Sequence, residues 1–203
     1  MLDFLRFLDQ QLVLALNQEH TPLLDALLLA ASSRLAWGPV LLLALPGLWR
    51  HYGASCWRLL LPLALSVATT NWLASDLIKP WVNRPRPCQA PDLLPLLHLP
   101  VGCSASASFL STHTADLVTL VGVLSWVLPR ASWRLHLVWW SWALVLATSR
   151  VYLGQHYPSD VLAGAALGLL VALGGRGLRR PLLARLLPAT RVKQQEPAGA
   201  RSS

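Results

Sequence analysis

Residues 59–87 read LLLPLALSVATTNWLASDLIKPWVNRPRP. The first twenty, Leu59–Ile78, hold a single ionisable side chain, Asp76. That is enough helix to cross the hydrocarbon core of a bilayer, which takes about 20 mostly apolar residues. The run ends on Lys79, and Pro80, Pro85 and Pro87 then stop the helix and stiffen the chain around Arg84 and Arg86. A spanning helix that delivers fixed cations to its own end is the unit from which the remaining sequence is read.

Three more runs, 108–128, 135–152 and 159–175, are long and apolar enough to be read the same way. Upstream, residues 22–33 and 36–49 form either two short segments or one long helix broken near Ser32-Ser33-Arg34. The adopted reading is a span at about 35–49 preceded by a partly inserted helix. Residues 2–18 place Asp3, Arg6, Gln10 and Asn17 on one helical face, largely opposite Leu2, Leu5, Leu8, Leu12 and Leu16. This is the pattern of an amphipathic helix at the bilayer interface. Asp3 and Asp9 interrupt it, so it does not read as a cleaved signal peptide. The expected fold class is all-α: a polytopic membrane helix bundle of five spans, or alternatively six, with an N-terminal interfacial helix. The expected division is residues 1–34 (amphipathic and partly inserted helices), 35–176 (transmembrane catalytic domain) and 177–203 (basic, partly disordered tail).

Composition agrees. Over 203 residues, hydrophobic side chains make up 54% and charged ones 13%, with a mean hydropathy of +0.47; soluble domains carry about 25% charged residues. The net charge of +8 does not point to nucleic acid, because its sources follow topology. Arg50, Arg58, Arg130, Arg134, Arg176, Arg179, Arg180, Arg185, Arg191, Lys193 and Arg201, eleven of the seventeen basic residues, fall on one side of the expected membrane. That side is therefore cytoplasmic and holds the C-terminus. Lys79, Arg84, Arg86 and Arg150 fall on the other side, against the rule, and anion binding is the reason to place them there.

Those exceptions belong to three groups: Lys79-x6-Arg86-Pro87; Ser111-Thr112-His113; and Ser149-Arg150-x5-His156-x3-Asp160. Each lies at the end of an apolar run. Together they hold cations for phosphate oxygens, two imidazoles and a carboxylate four residues from one of them, which suits phosphoryl transfer to histidine. Their order and spacing, over residues 59–176, resemble the type 2 phosphatidic acid phosphatase superfamily of membrane phosphatases. The resemblance implies His156 as the nucleophile that becomes phosphohistidine, His113 as general acid and Asp160 as the carboxylate orienting His156. It also implies that Lys79, Arg86 and Arg150 hold the phosphoryl oxygens. Ser111 and Thr112 at a helix start, and secondarily Arg84, join the expected phosphate site. The family commonly has Pro-Ser-Gly-His where this chain has Leu110-Ser111-Thr112-His113, which bears on substrate preference and rate.

Two acids at membrane depth are expected to act through neighbours three residues away: Asp116 on His113, and Asp76 on Lys79. Cys88 and Cys103 lie in the outer loop, 80–107, and would close it as a disulfide in an oxidising compartment; the alternative is two free thiols. No cofactor or metal is expected. His20, His51, His98 and His136 have no motif context, and Trp49, Trp57, Trp81 and Trp133 read as interface anchors. The implied activity is a metal-independent lipid phosphatase of the bacterial inner membrane with its site facing the periplasm. Its expected partners are a lipid-phosphate substrate and membrane lipids, with no nucleic acid. Small size and short loops resemble the undecaprenyl-diphosphate phosphatases of the superfamily, so undecaprenyl diphosphate stands first. Phosphatidic acid, phosphatidylglycerol phosphate and lipid A 1-phosphate follow, with a lipid-to-lipid phosphotransferase and a non-catalytic binder as further alternatives.

Overall fold

The run from residue 59 is helical almost throughout in the computed structural model, which describes residues 2–33, 35 and 37–177. In chain order the helices are α1 (Leu2–Gln18), α2 (Pro22–Ser32), α3 (Trp37–Tyr52), α4 (Leu60–Trp72), α5 (Lys79–Val82), α6 (Thr112–Val127), α7 (Trp133–Tyr152) and α8 (Pro158–Gly177). A π-helical turn, Leu73–Ile78, joins α4 to α5 without a break. Asn83, at φ 44°, then ends the rod: its N–H donates to the Lys79 carbonyl (2.9 Å) in a left-handed cap. No strand occurs among the described residues. Arg34 and residues 178–203, which hold most of the expected basic tail, lie outside them.

Within the stretch 22–49 the described helices are α2, which ends at Ser32, and α3, which starts at Trp37. Thr21 caps α2 through the Leu24 N–H (3.2 Å), and Pro22 occupies the first turn, where its missing N–H costs nothing. One expected span starts too early: residues 108–111 are loop, and α6 opens only at Thr112. By length and apolarity, one described helix, Pro158–Arg176, qualifies by itself as a membrane span.

α6 is the axis of the bundle and is buried along most of its length. Val40, Ala44 and Leu48 of α3, Leu63 and Val67 of α4, Trp139 and Leu146 of α7, and Ala172 of α8 close around it. α8 lies closest. A Cβ added at Gly164 would stand 2.5 Å from the Ser111 carbonyl oxygen, and one at Gly168 2.5 Å from that of Ala115. Outer faces are apolar, with Leu61, Leu65, Leu144, Leu162 and Leu170 exposed, while Thr70 and Thr119 sit inside and hydrogen-bond each other (2.8 Å). On α1 the inward stripe is Asp9, Val13 and Asn17, with Leu14 packed against the same cluster as Val13, while Phe4, Leu5, Phe7, Leu8, Leu12 and Leu16 face out. The expected Trp anchors at 49, 57, 81 and 133 are all more than 60% exposed.

Candidate active site

The motif groups meet because three chain reversals occur at the same end of the bundle. At the first, α5 stops at Asn83, and Arg86 follows in extended backbone. At the second, α7 ends through Gly154, at φ 65°, a conformation glycine adopts without strain. The N–H groups of Gln155 and His156 both donate to the Arg150 carbonyl (3.1 Å each), so the five residues between Arg150 and His156 form one tight helix ending. At the third, Thr112 and His113 open α6. Between these points lies a cavity of about 740 Å³ lined by Lys79, Arg86, Arg150, Thr112, His113 and His156. Trp37, Asn71, Ser75, Ser104, Ser106 and Asp116 complete its wall.

Lys79, Arg86 and Arg150 share one property: among the described residues none forms an ion pair with a carboxylate. Lys79 Nζ donates to the Ala107 carbonyl (3.1 Å). Arg86, 3% exposed, donates to the carbonyls of Ser106 (2.7 Å) and Gln155 (2.7 Å) and to Ser106 Oγ (2.8 Å). Arg150 reaches Ser32 Oγ, and its Nε is buried without a partner. Neutral acceptors fix these side chains without cancelling their charge, so the pocket keeps an unbalanced positive potential. Burial, with Arg86 and Arg150 nearby, pushes the Lys79 ammonium down to about 8.

His156 is 1% exposed, and its Nε2 lies 3.1 Å from Arg86 Nη1. A guanidinium can only donate, so Nε2 is the acceptor nitrogen and Nδ1 carries the proton. Nδ1 points toward Asp160 Oδ2 at 3.8 Å, an ion-pair distance rather than the expected hydrogen bond. Burial, with Arg86 and Arg150 adding to it against the pull of Asp160, pushes this imidazole down to about 3. It is therefore neutral at physiological pH. Pro158 does not distort the turn that follows: it is the first residue of α8, and Asp160 accepts from the Tyr157 N–H (2.9 Å). Ser108 Oγ also donates to Asp160 Oδ2.

Three expected roles need correction. Arg84 is not directed at the cavity: it pairs with Asp160 (2.7 Å) and Asp9 (2.8 Å) and lies 4.0 Å over the Tyr157 ring. Ser111 is fully buried, with its hydroxyl on Thr114 Oγ1 (3.0 Å), so only Thr112 of that pair faces the cavity. Asp76 is exposed and forms no ion pair with Lys79. The π turn between them carries more residues per turn than an α-helix, so positions three apart no longer stack. Asp116 lines the cavity together with His113, where its Oδ2 accepts from Asn71 Nδ2 (3.0 Å).

Cys88 and Cys103 form a disulfide with Cα atoms 5.7 Å apart, tying down the loop that carries Ser104, Ser106 and Ser108. These serines, and the Asp9 contact, were not anticipated; the alternating Ser-Ala-Ser-Ala-Ser of 104–108 was the available signal. His98 bonds Asp25 (2.8 Å) and stacks on His20 (centroids 4.0 Å apart), and neither ring lines the cavity.

Comparison with known proteins places this arrangement. A lipid A 4'-phosphatase of Bacteroides thetaiotaomicron is 29% identical over 174 residues, covering 83% of this chain and 75% of the relative. Phosphatidylglycerophosphatase B of Bacillus subtilis is 32% identical over 116 residues, 54% of this chain and 53% of the relative. The crystal structure of a transmembrane PAP2-type phosphatidylglycerolphosphate phosphatase from Bacillus subtilis superposes with a TM-score of 0.67 at 24% identity, covering 87% of each chain. The helical frame is therefore shared with that structure. The PAP2 superfamily model matches residues 56–180, which hold every one of the three motif groups, and the chain belongs to that superfamily.

Proposed function

We propose that the chain removes a terminal phosphate from an amphiphilic membrane lipid through a phosphohistidine on His156. The observation that carries this reading is the trio Lys79, Arg86 and Arg150, unpaired with any carboxylate among the described residues, around a neutral imidazole that lines the same cavity and whose Nε2 accepts from Arg86. Arg86 shifts from Nε2 to a phosphoryl oxygen when substrate enters. Nε2 attacks phosphorus and the P–O bond to the lipid breaks. His113 gives its proton to the leaving oxygen, then takes one from the water that cleaves the P–N bond. Asp160 faces Nδ1–H from 3.8 Å and stabilises the positive charge that develops on the ring, and Thr112 at the α6 start contributes a helix N-terminus to the anion. Residues 35–176 form the catalytic domain in this reading, with 1–34 and 177–203 attached to it.

The same reading puts the motif end outside the cytoplasm. The Cys88–Cys103 disulfide fits an oxidising compartment, and Arg50, Arg58, Arg130, Arg134 and Arg176 belong to the opposite end. Five spans with α1 in the interface, in a bacterial inner membrane, is the proposed topology. Undecaprenyl diphosphate is the first proposed substrate. Lipid A phosphate is the second, favoured by the likeness to a lipid A 4'-phosphatase over most of the chain.

Purified protein in detergent with EDTA, offered undecaprenyl diphosphate, lipid A and phosphatidylglycerol phosphate in parallel, tests this. Metal-independent release of inorganic phosphate that His156→Ala lacks is the expected result, and the fastest lipid ranks the substrates. Retention of lipid phosphate without release would identify a binder, and release that needs an acceptor lipid a phosphotransferase.

Lys79 gives the reaction an alkaline limit. Its charge is present below about pH 8 and lost above it, so kcat/KM falls as pH rises through 8. In Lys79→Arg the limb moves beyond about pH 10, because guanidinium stays charged. A limb at the same pH in both proteins would assign it to another group.

A further inference from the structure

We infer that Asp9, on the N-terminal helix and outside the matched residues 56–180, is a positioning residue for the His156–Asp160 pair. α8 begins with a deficit. Tyr157 holds the cap position, where its side chain offers no short oxygen to the free N–H groups of the first turn, and Pro158 follows. Asp9 supplies the missing acceptor from another helix: its Oδ1 accepts from the Ser159 N–H (2.9 Å).

Its Oδ2 accepts from Arg84 Nη2 (2.8 Å) and from Ser159 Oγ. Arg84 Nη1 in turn donates to Ser159 Oγ (2.7 Å) and to Asp160 Oδ1 (2.7 Å). Asp9 is 6% exposed, and Asp160 is fully buried. The guanidinium therefore stands between two carboxylates, and Asp9 neutralises the share of its charge that Asp160 does not. Without Asp9, Arg84 is left to Asp160 alone and draws it along the Oδ1 side, away from His156 Nδ1, which lies 3.8 Å from Oδ2. The N-terminal helix thereby belongs to the catalytic unit, although it contributes nothing to the cavity wall.

This rests on His156 as the nucleophile. The experiment uses the full-length protein in detergent with the lipid phosphate that turned over fastest in the preceding assay. Its variants are Asp9→Asn, Asp9→Ala, Arg84→Gln and the Asp9→Asn/Arg84→Gln double variant. Asp9→Asn keeps an oxygen for the Ser159 N–H and so preserves the helix cap while losing the charge. The expected result is a loss in kcat of roughly tenfold or more in Asp9→Asn, the scale of a sub-ångström displacement of reacting groups, with KM changed less than about threefold. In the Arg84→Gln background the same substitution costs no more than about twofold, because its effect passes through Arg84. Unchanged kcat in Asp9→Asn, a loss confined to KM, or multiplicative losses in the double variant would each overturn the inference. Failure of the wild-type protein or survival of His156→Ala would instead strike the proposed function itself.

Discussion

Replacing His156 with alanine lowers phosphate release by about 10⁴-fold or more on every substrate, whereas His113→Ala loses activity in proportion to how poor the leaving group is. The two imidazoles line one cavity, but their settings differ. His156 is buried, neutral, and has an accepting Nε2 fixed by Arg86, which suits a nucleophile. His113 stands in the first turn of α6, half-exposed at the cavity wall, which suits a general acid. Without His156 no N–P bond forms, and an aryl phosphate with an acidic phenol fares no better than a lipid. Without His113 the alkoxide of a lipid alcohol leaves unprotonated and slowly, while a nitrophenolate leaves unaided. A series of aryl phosphates of rising phenol pKa reads this as a steeper dependence on leaving group in His113→Ala than in wild type. Removal of Arg86's contact at Nε2 leaves the guanidinium on Gln155 and Ser106, so the His156 variant keeps its fold. If His156→Ala retained the activated aryl substrates and His113→Ala lost all of them, the two roles would be exchanged.

The chemistry of this site was more legible than its mechanics. Lys79, Arg86 and Arg150 could be placed together because charge at the end of an apolar run is expensive and therefore informative, while His113 and His156 joined them only through the resemblance of the motif spacing to the superfamily. The disulfide was likewise within reach, because loop and spacing were visible around Cys88 and Cys103. Arg84 misled for the same reason: it obeys the same rule as Arg86, and only its neighbours, Asp9 from 75 positions upstream and Asp160 from 76 downstream, distinguish it. Sequence periodicity assumes a regular helix, so the π turn at Leu73–Ile78 separated Asp76 from Lys79 unseen. The helix order followed from apolar runs, whereas the start of α6 did not. Residues 108–111 are apolar enough to extend the helix, yet Ser108 and Ser111 are held by Asp160 outside it, through its side chain and its carbonyl respectively.

The least visible determinant was the seam between α6 and α8, and it carries the second large prediction: Gly168→Leu prevents accumulation of folded protein, and Gly168→Ala folds with most of its activity lost. Between helices in lipid there is little hydrophobic gain, because the acyl chains are as apolar as leucine; close packing of small residues supplies the association instead. Gly164 and Gly168 recur every four residues on one face of α8, and Ala172 continues the row against Gly122 of α6. At Gly168 an added Cβ would lie 2.5 Å from the Ala115 carbonyl oxygen, 3.0 Å from Val118 Cβ and 3.1 Å from the Thr119 nitrogen. Backbone atoms cannot rotate aside as a side-chain end can, so the helices must separate. Overpacking of this kind costs about 1–3 kcal/mol for a methyl group, and a leucine far exceeds the space. The consequence reaches the chemistry because the same seam aligns the two helix starts: the Ser111 N–H donates to the Asp160 carbonyl (3.0 Å), just before Thr112 and His113. An ångström of separation there moves His113 relative to His156, which is worth roughly 10²-fold in rate. Gly174→Ala is the control. Nothing lies within 4 Å of its added Cβ, and alanine favours helix by about 1 kcal/mol, so that variant keeps its activity and melts no lower than wild type. Melting curves in detergent and phosphate release on the three proteins decide it: equal behaviour of Gly168→Ala and Gly174→Ala would mean that the seam tolerates a methyl group and does not set the distance between the histidines.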